Sequence, residues 1–182
     1  YLAQQFILEQ VEKRKLPAIV VNPTFMIGPN DSKPSSGKLM LYALSKRVLF
    51  YPPGGKNFVY IMDVCDGIIN AIHRGVIGSC YLLAGHNMSY KEFFRLVNRI
   101  GGKSPFLIGL PAMVMKFVGI VAPFIGKITG KEAKINFTIA YLSCMKMYYS
   151  GKKSERELFI KYTPMEEAVN RSLAWFKENN YY

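Results

Sequence analysis

An α/β fold built on a parallel sheet is predicted by three observations in this 182-residue chain. Leu16-Pro17-Ala18-Ile19-Val20-Val21-Asn22-Pro23 and Cys80-Tyr81-Leu82-Leu83-Ala84-Gly85 are short, continuous apolar runs, the pattern of strands buried on both faces. The amphipathic stretch Leu2 to Val11 leads through Lys13-Arg14-Lys15 into the first run, and helix followed by buried strand is half of a βαβ unit. That run ends in Thr24-Phe25-Met26-Ile27-Gly28-Pro29, a loop at a strand's carboxyl end, where open α/β sheets bind ligands.

The opening helix places Leu2, Phe6 and either Ile7 or Val11 on one face, yet no Ser, Thr, Asp or Asn precedes it as a cap. The chain is therefore expected to be the back part of a longer protein. After the Gly28-Pro29 loop, Ser35 and Ser36 are candidate caps for a helix over 37–48. Leu49-Phe50-Tyr51 and Asn57 to Ile61 flank Pro52-Pro53-Gly54-Gly55, a strand, turn and strand signature. Asp63 is placed to cap a helix over 64–74, which Gly75 ends. Ser89-Tyr90-Lys91-Glu92 is a capping box opening a helix with Phe93, Leu96, Val97 and Ile100 on one side, stopped by Gly101-Gly102. Helical stretches follow at about 111–125 and 131–145. Thr163-Pro164-Met165-Glu166 is a second capping box, with Pro164 at the first helical position. The last helix buries Met165, Ala168, Val169, Ser172 and Phe176, with Trp175 beside them.

Half the residues are hydrophobic and 14% aromatic, so the chain is globular rather than disordered. Lys and Arg outnumber Asp and Glu by 24 to 12, but they are scattered along the chain. Without a dense basic stripe interleaved with aromatics, nucleic acid is not an expected partner. Cys65, Cys80 and Cys144 have neither zinc nor disulfide spacing and are expected to be reduced core thiols of a cytoplasmic protein. His73 and His86 have no second ligand at metal spacing, so no metal is expected. The most apolar stretch, Pro105 to Ile128, is interrupted by Pro111, Lys116 and Pro123, which argues against a membrane-spanning helix.

Several motifs in order resemble the extended short-chain dehydrogenase/reductase family, in its NAD-dependent epimerase/dehydratase and dihydroflavonol reductase-like branch. The matching pieces are Ala3-Gln4; Asn22-Pro23-Thr24-Phe25-Met26-Ile27-Gly28-Pro29; Phe58-Val59-Tyr60-Ile61-Met62-Asp63-Val64-Cys65-Asp66-Gly67; Tyr81 to Gly85 with Asn87-Met88-Ser89; and Ser154 to Leu158 with Tyr162 to Ala168. Leu158-Phe159-Ile160-Lys161-Tyr162 departs from the Leu-Gly-Tyr usual there. The resemblance implies the C-terminal portion of a Rossmann-like, doubly wound parallel sheet plus a smaller, mostly helical substrate-binding lobe. Residues 1–85 would belong to the dinucleotide-binding domain, with an excursion at 30–60, and 86–182 mainly to the lobe, the last helix packing back.

Members of this family use a Tyr and a Lys four residues later on one helical face. The ammonium lowers the Tyr pKa and holds the nicotinamide ribose, while the phenol exchanges a proton with substrate. Tyr1 is not that Tyr, because position 5 is Gln. Aligning the family's Lys-x-x-Ala-Glu with Ala3-Gln4 sets the Lys just before Tyr1 and the Tyr four residues ahead of it. No glycine-rich dinucleotide turn is present either, since Gly54-Gly55 and Gly101-Gly102 sit in turn contexts.

What the resemblance leaves to this chain is one wall of the site. Pro23, Thr24, Phe25 and Met26 would pass under the nicotinamide of NAD or NADP, and Asn22 and Tyr60 would face substrate. The implied activity is an NAD(P)-dependent oxidoreductase or epimerase acting on a hydroxyl or carbonyl of a nucleotide sugar or of a hydrophobic alcohol or ketone. The 182 residues alone are expected to be inactive. Met113, Met115, Phe117, Phe124, Met145 and Met147 read either as a hydrophobic ligand site or as core. The competing reading is a basic, amphipathic membrane-surface module, with Phe106 to Ile128 in lipid and Lys116, Lys127, Lys131 and Lys134 near headgroups. Peripheral membrane contact and a homodimer of the full-length protein stay open beside the small-molecule substrate.

Overall fold

The computed structural model describes residues 2–130 and 135–182, the side chains of 127–129 excepted. The chain runs α1 (Leu2–Arg14), β1 (Val20–Pro23), β2 (Phe25–Ile27), α2 (Lys38–Ser45), β3 (Val48–Tyr51), β4 (Gly55–Tyr60), α3 (Ile61–Arg74), β5 (Cys80–Leu83), β6 (His86–Ser89), α4 (Tyr90–Ile100), β7 (Phe106–Gly109), α5 (Ala112–Thr129), α6 (Phe137–Ser143), β8 (Lys146–Met147), α7 (Lys152–Leu158) and α8 (Met165–Glu178). The expected helix at 131–145 is seen as α6; Lys131 to Lys134 lie outside the described residues.

Both apolar runs become strands, and they pair in parallel, from Val20 opposite Cys80 to Pro23 opposite Leu83. One residue, Thr24, separates β1 from β2. There the chain leaves β5 and pairs with β4 instead, Phe25 opposite Phe58 and Ile27 opposite Tyr60. β4 also runs antiparallel to β6 and parallel to β8, while β3 and β7 form a separate parallel pair. The fold is thus an α/β unit with parallel strands at one end and a largely helical lobe.

Strand alternation divides the interior. Phe58 and Tyr60 of β4 point into a core shared with α2, α4 and α8, where the Phe58 and Phe93 rings stack at 4.1 Å. Val59, between them, points into a second core with Val64, Tyr81, Leu83, Leu158 and Ile160. Both cores draw residues from before and after position 85.

Several local expectations are corrected. Ile19, Val20 and Val21 are only half-buried, because β1 has a strand partner on one edge alone among the described residues. Leu2 and Phe6 are exposed, at 78% and 59%. β3 and β4 do not form a hairpin, since each finds a more distant partner. Ser35 and Ser36 do not cap α2. The Asp31 carboxylate accepts from the N–H groups of Ser35 and Gly37 instead, so the turn before the helix is held from five residues upstream of Ser36. Asp63, buried in the first turn of α3, accepts from Thr163 N–H at 2.8 Å and Thr163 Oγ1 at 2.6 Å. It thereby ties α3 to the start of α8, and Thr163 is unavailable as a capping side chain; Pro164 takes the cap position of α8. Cys65 is exposed, whereas Cys80 and Cys144 are half-buried, and all three are free thiols. The Ser89 box forms as expected, with Ser89 Oγ accepting from Glu92 N–H and the Glu92 carboxylate from Ser89 N–H.

Candidate functional site

The ends of β1 and β5 open on a cleft of about 420 Å³ lined by Pro23, Thr24, Phe25, Lys56, Asn57, Leu82, Met147 and Tyr149. Its floor is a hydrogen-bonded chain. Thr24 Oγ1 donates to Asn57 Oδ1 at 2.7 Å, Asn57 Nδ2 donates to Asn87 Oδ1 at 2.7 Å, and Asn87 Nδ2 donates to the Tyr149 carbonyl at 2.9 Å. Tyr149 N–H returns a bond to Asn87 Oδ1 at 3.0 Å. Asn57 is 2% exposed, and a buried amide is tolerated only when its groups are paired. The network joins the β1–β2 crossing point, β4, β6 and the segment after β8, so the cleft has a fixed polar base under apolar walls.

The wall at Phe25 stands against Phe58 edge to face, with ring centres 5.5 Å apart, and Lys56 Nζ lies 4.8 Å from the Phe25 ring centre. Partial burial holds the Lys56 ammonium below the usual lysine range. Phe25 and Lys56 also border a second cavity, about 520 Å³, whose lining includes Leu39, Phe50, Phe94, Leu110, Met115 and Ile139. Tyr90 lies there too, its phenol pushed up chiefly by burial.

Of the expected wall, Pro23, Thr24 and Phe25 line the cleft. Met26, one residue on and hence on the opposite strand face, packs against the second core instead. Asn22 donates through Nδ2 to Gln4 Oε1 at 3.1 Å, linking β1 to α1. Tyr60 is 4% exposed within the larger core, with the Arg171 guanidinium 6.0 Å from its ring centre, and lines neither cavity. Lys56, Asn57 and Tyr149 were not anticipated. An Asn immediately before the apolar run Phe58-Val59-Tyr60 was the one available signal. Among the apolar lobe residues, Met115 and Met147 line cavities, while Met113, Phe117 and Phe124 are exposed. The β5 end is braced by Tyr162, whose hydroxyl accepts from Ala84 N–H at 3.1 Å and pairs with Ser154 Oγ at 2.9 Å. Gly151 permits this close approach, since a Cβ there would collide with the Ala84 carbonyl and the Tyr162 ring. No cluster of metal-ligating side chains occurs among the described residues. His86 Nε2 lies 2.9 Å from the Thr163 carbonyl and acts as a structural group.

A cleft at the carboxyl ends of parallel strands lies where open α/β sheets bind their ligands. The comparisons with known proteins agree. The chain is 25% identical over 190 residues to a putative dihydroflavonol 4-reductase of Synechocystis, which covers 100% of this chain and 54% of that protein. It is 26% identical to the sterol demethylase protein B of Methylococcus capsulatus, covering 94% and 53%. Among solved structures, the protein gox2253 is 30% identical with a TM-score of 0.79, covering 98% of this chain and 55% of that one. A more distant neighbour of the same fold, a dTDP-glucose 4,6-dehydratase from Streptomyces venezuelae, was solved with NAD bound (15% identical, TM-score 0.66, covering 98% and 49%). No protein-family model matches the chain. The proteins it matches are of the dihydroflavonol reductase-like and epimerase/dehydratase kind, and the chain is similar to them in sequence or fold. It spans about half the length of the curated relatives it matches.

Proposed function

We propose that the chain is the C-terminal part of an NAD(P)-dependent oxidoreductase acting on the hydroxyl or carbonyl of an apolar alcohol or ketone. The observation that carries this reading is that the cleft and the apolar cavity are neighbours with Phe25 and Lys56 in both linings. The cleft suits a flat heteroaromatic amide, with Pro23, Phe25 and Leu82 as apolar walls and the Thr24–Asn57 pair at the base. A nicotinamide bound there supplies or accepts hydride. Pro23 and Phe25 orient the ring, and Lys56 places a donor where the two cavities meet. Among the described residues, Lys38 and Lys56 are the cations lining the apolar cavity, enough to hydrogen-bond a carbonyl or hydroxyl.

On this reading the proton-donating Tyr and its Lys precede residue 1. Residues 1–85 contribute to the dinucleotide-binding domain and 86–182 mainly to the substrate lobe of a cytoplasmic enzyme. The test uses the full-length protein. Phe25→Asp sets a desolvated carboxylate against the nicotinamide wall and is expected to raise the NADH or NADPH dissociation constant, read by fluorescence titration, at least about tenfold over Tyr51→Asp. Apolar ketones are expected to be reduced and nucleotide sugars left unchanged. Equal dissociation constants for the two variants, or turnover of nucleotide sugars alone, would overturn the assignment.

A further inference from the structure

A third cavity, about 610 Å³, lies between the carboxyl half of α4 and the segment that leads into β7, and it shares no lining residue with the two described above. Arg95, Asn98 and Arg99 fall on one face of α4, three and four residues apart, and Lys103 and Phe106 complete the lining opposite them. The lining holds three cations and no carboxylate. Lys103 Nζ donates to the Leu44 carbonyl in the last turn of α2 at 3.0 Å, which fixes the ammonium and leaves it two further N–H groups. Arg99 pairs with Glu166 at 3.0 Å, but both side chains are about two-thirds exposed, and an ion pair of that kind is readily given up to a stronger anion. Phe106, 70% exposed, sets a flat apolar face at the rim.

Asn98 adds a second and independent demand. It is 4% exposed, and its Nδ2 donates to the Phe94 carbonyl one turn back at 2.8 Å. The other arm of the amide, Oδ1, is directed away from that carbonyl and is the one buried side-chain polar atom among the described residues without a hydrogen-bond partner. Buried acceptors are paired as a rule, so the cavity calls for a donor as well as for an anion. An anion made only of acceptor oxygens would set oxygen against Oδ1. We infer that this cavity binds a phosphate monoester whose neighbouring hydroxyl or N–H group donates to Asn98 Oδ1, the class of a sugar phosphate or a nucleoside monophosphate. Arg95, Arg99 and Lys103 hold the dianion, because guanidinium and ammonium donors to phosphate make the strong, charge-assisted bonds. Phe106 covers a flat face of the remainder. The site does not depend on the proposed reaction.

The experiment is calorimetric titration of the full-length protein with ribose 5-phosphate, and with sulfate as an anion that carries charge but no donor. Ribose 5-phosphate is expected to bind at least about fivefold more tightly than sulfate, the margin of one hydrogen bond. Arg95→Glu with Lys103→Glu, both at exposed positions, is expected to weaken it at least about tenfold, whereas Lys152→Glu with Lys161→Glu, the same change of charge outside the cavity, leaves it unaltered. Asn98→Leu, branched at the same carbon, removes the acceptor and is expected to abolish the margin over sulfate without lowering the urea midpoint, because the parent leaves that acceptor unpaired. AMP separates the two sources: binding tighter than ribose 5-phosphate, with the gain lost in Phe106→Ala, identifies a nucleoside monophosphate, and equal affinities identify a sugar phosphate. Any of four results would overturn the inference: no binding of ribose 5-phosphate, sulfate bound as tightly in the parent, equal loss for the Lys152 and Lys161 control, or a single-stranded oligonucleotide that displaces ribose 5-phosphate and binds more tightly than either monoester.

Discussion

Replacing Asn57 by Asp is expected to cost more stability than replacing it by Ala, although Asp is the closer match in shape. The amide has a fixed polarity in its buried position, accepting from Thr24 through Oδ1 and donating to Asn87 through Nδ2. Ala removes both bonds and the longer one, 3.4 Å, from Asn57 Nδ2 to the Tyr149 carbonyl, yet each partner keeps a second option. The Thr24 hydroxyl also lies 3.2 Å from the Leu83 carbonyl, and Asn87 Oδ1 keeps the Tyr149 N–H. At about 1 kcal/mol net for each of the two short bonds, the Ala variant loses about 2 kcal/mol. Asp sets a carboxylate oxygen against Asn87 Oδ1, acceptor facing acceptor, and must bury an unpaired charge or take up a proton, at about 3–5 kcal/mol.

In urea, with a slope of roughly 1–3 kcal/mol/M, the Ala midpoint falls by about 1 M and the Asp midpoint by about 2 M. The sign with pH is also fixed. Burial without a partner raises the folded pKa of the new carboxyl above its unfolded value of about 3.9, so the deficit grows as pH rises through that value and shrinks below it. An Asp variant as stable as the parent near neutral pH, or less damaged than Ala, would refute the polarity assigned to the network.

Three other outcomes are expected. Tyr162→Phe leaves Ala84 N–H without its acceptor at a fully buried position and should cost about 1–3 kcal/mol in urea unfolding, whereas Tyr181→Phe, which removes an exposed bond to the Ser32 carbonyl, should cost less than half of that. The N–H and hydroxyl of Ser89 hold the Glu92 carboxyl below its ordinary 4.5, so its contribution is complete above that value and is lost as pH falls through the lower folded one. Because the group is exposed, the advantage over Glu92→Gln should be about 0.5 kcal/mol or less and should vanish on acidification, as pH-dependent melting would show. Finally, calorimetric titration of the 182-residue chain with NADH or NADPH should give no micromolar binding, since the cleft walls offer too few contacts to offset about 4–15 kcal/mol of lost ligand freedom.

Elements whose signals lie within a few residues were legible in the sequence. The Ser89 box, the Gly75 and Gly101 stops, the two apolar strand runs and the buried face of α8 all formed as the local pattern implied. The four short strands β2, β6, β7 and β8 were not anticipated, because each owes its form to a partner far along the chain. Long-range competition also displaced local caps. Asp63 reaches Thr163, 100 residues away, and so neither serves as a simple helix cap. Pro23, Thr24 and Phe25, expected from the resemblance as a nicotinamide wall, do line the cleft, whereas strand alternation turned Met26 away and core packing claimed Tyr60. Lys56 and Tyr149 carried no local mark at all, since their place in the cleft depends on how β4 and the segment after β8 come together.

The alternation along β4 has a mechanical consequence. Phe58 and Tyr60 anchor one hydrophobic interior and Val59 the other, so one strand of six residues is the common wall of both. Neither interior can melt while the other stays intact, because losing β4 opens both to water at once. The two therefore behave as a single cooperative folding unit, despite drawing on segments scattered from Ile19 to Tyr181. Lys56 and Asn57 sit on that same strand, so a ligand held in the cleft braces the whole unit and raises its global unfolding free energy instead of stiffening one lobe alone.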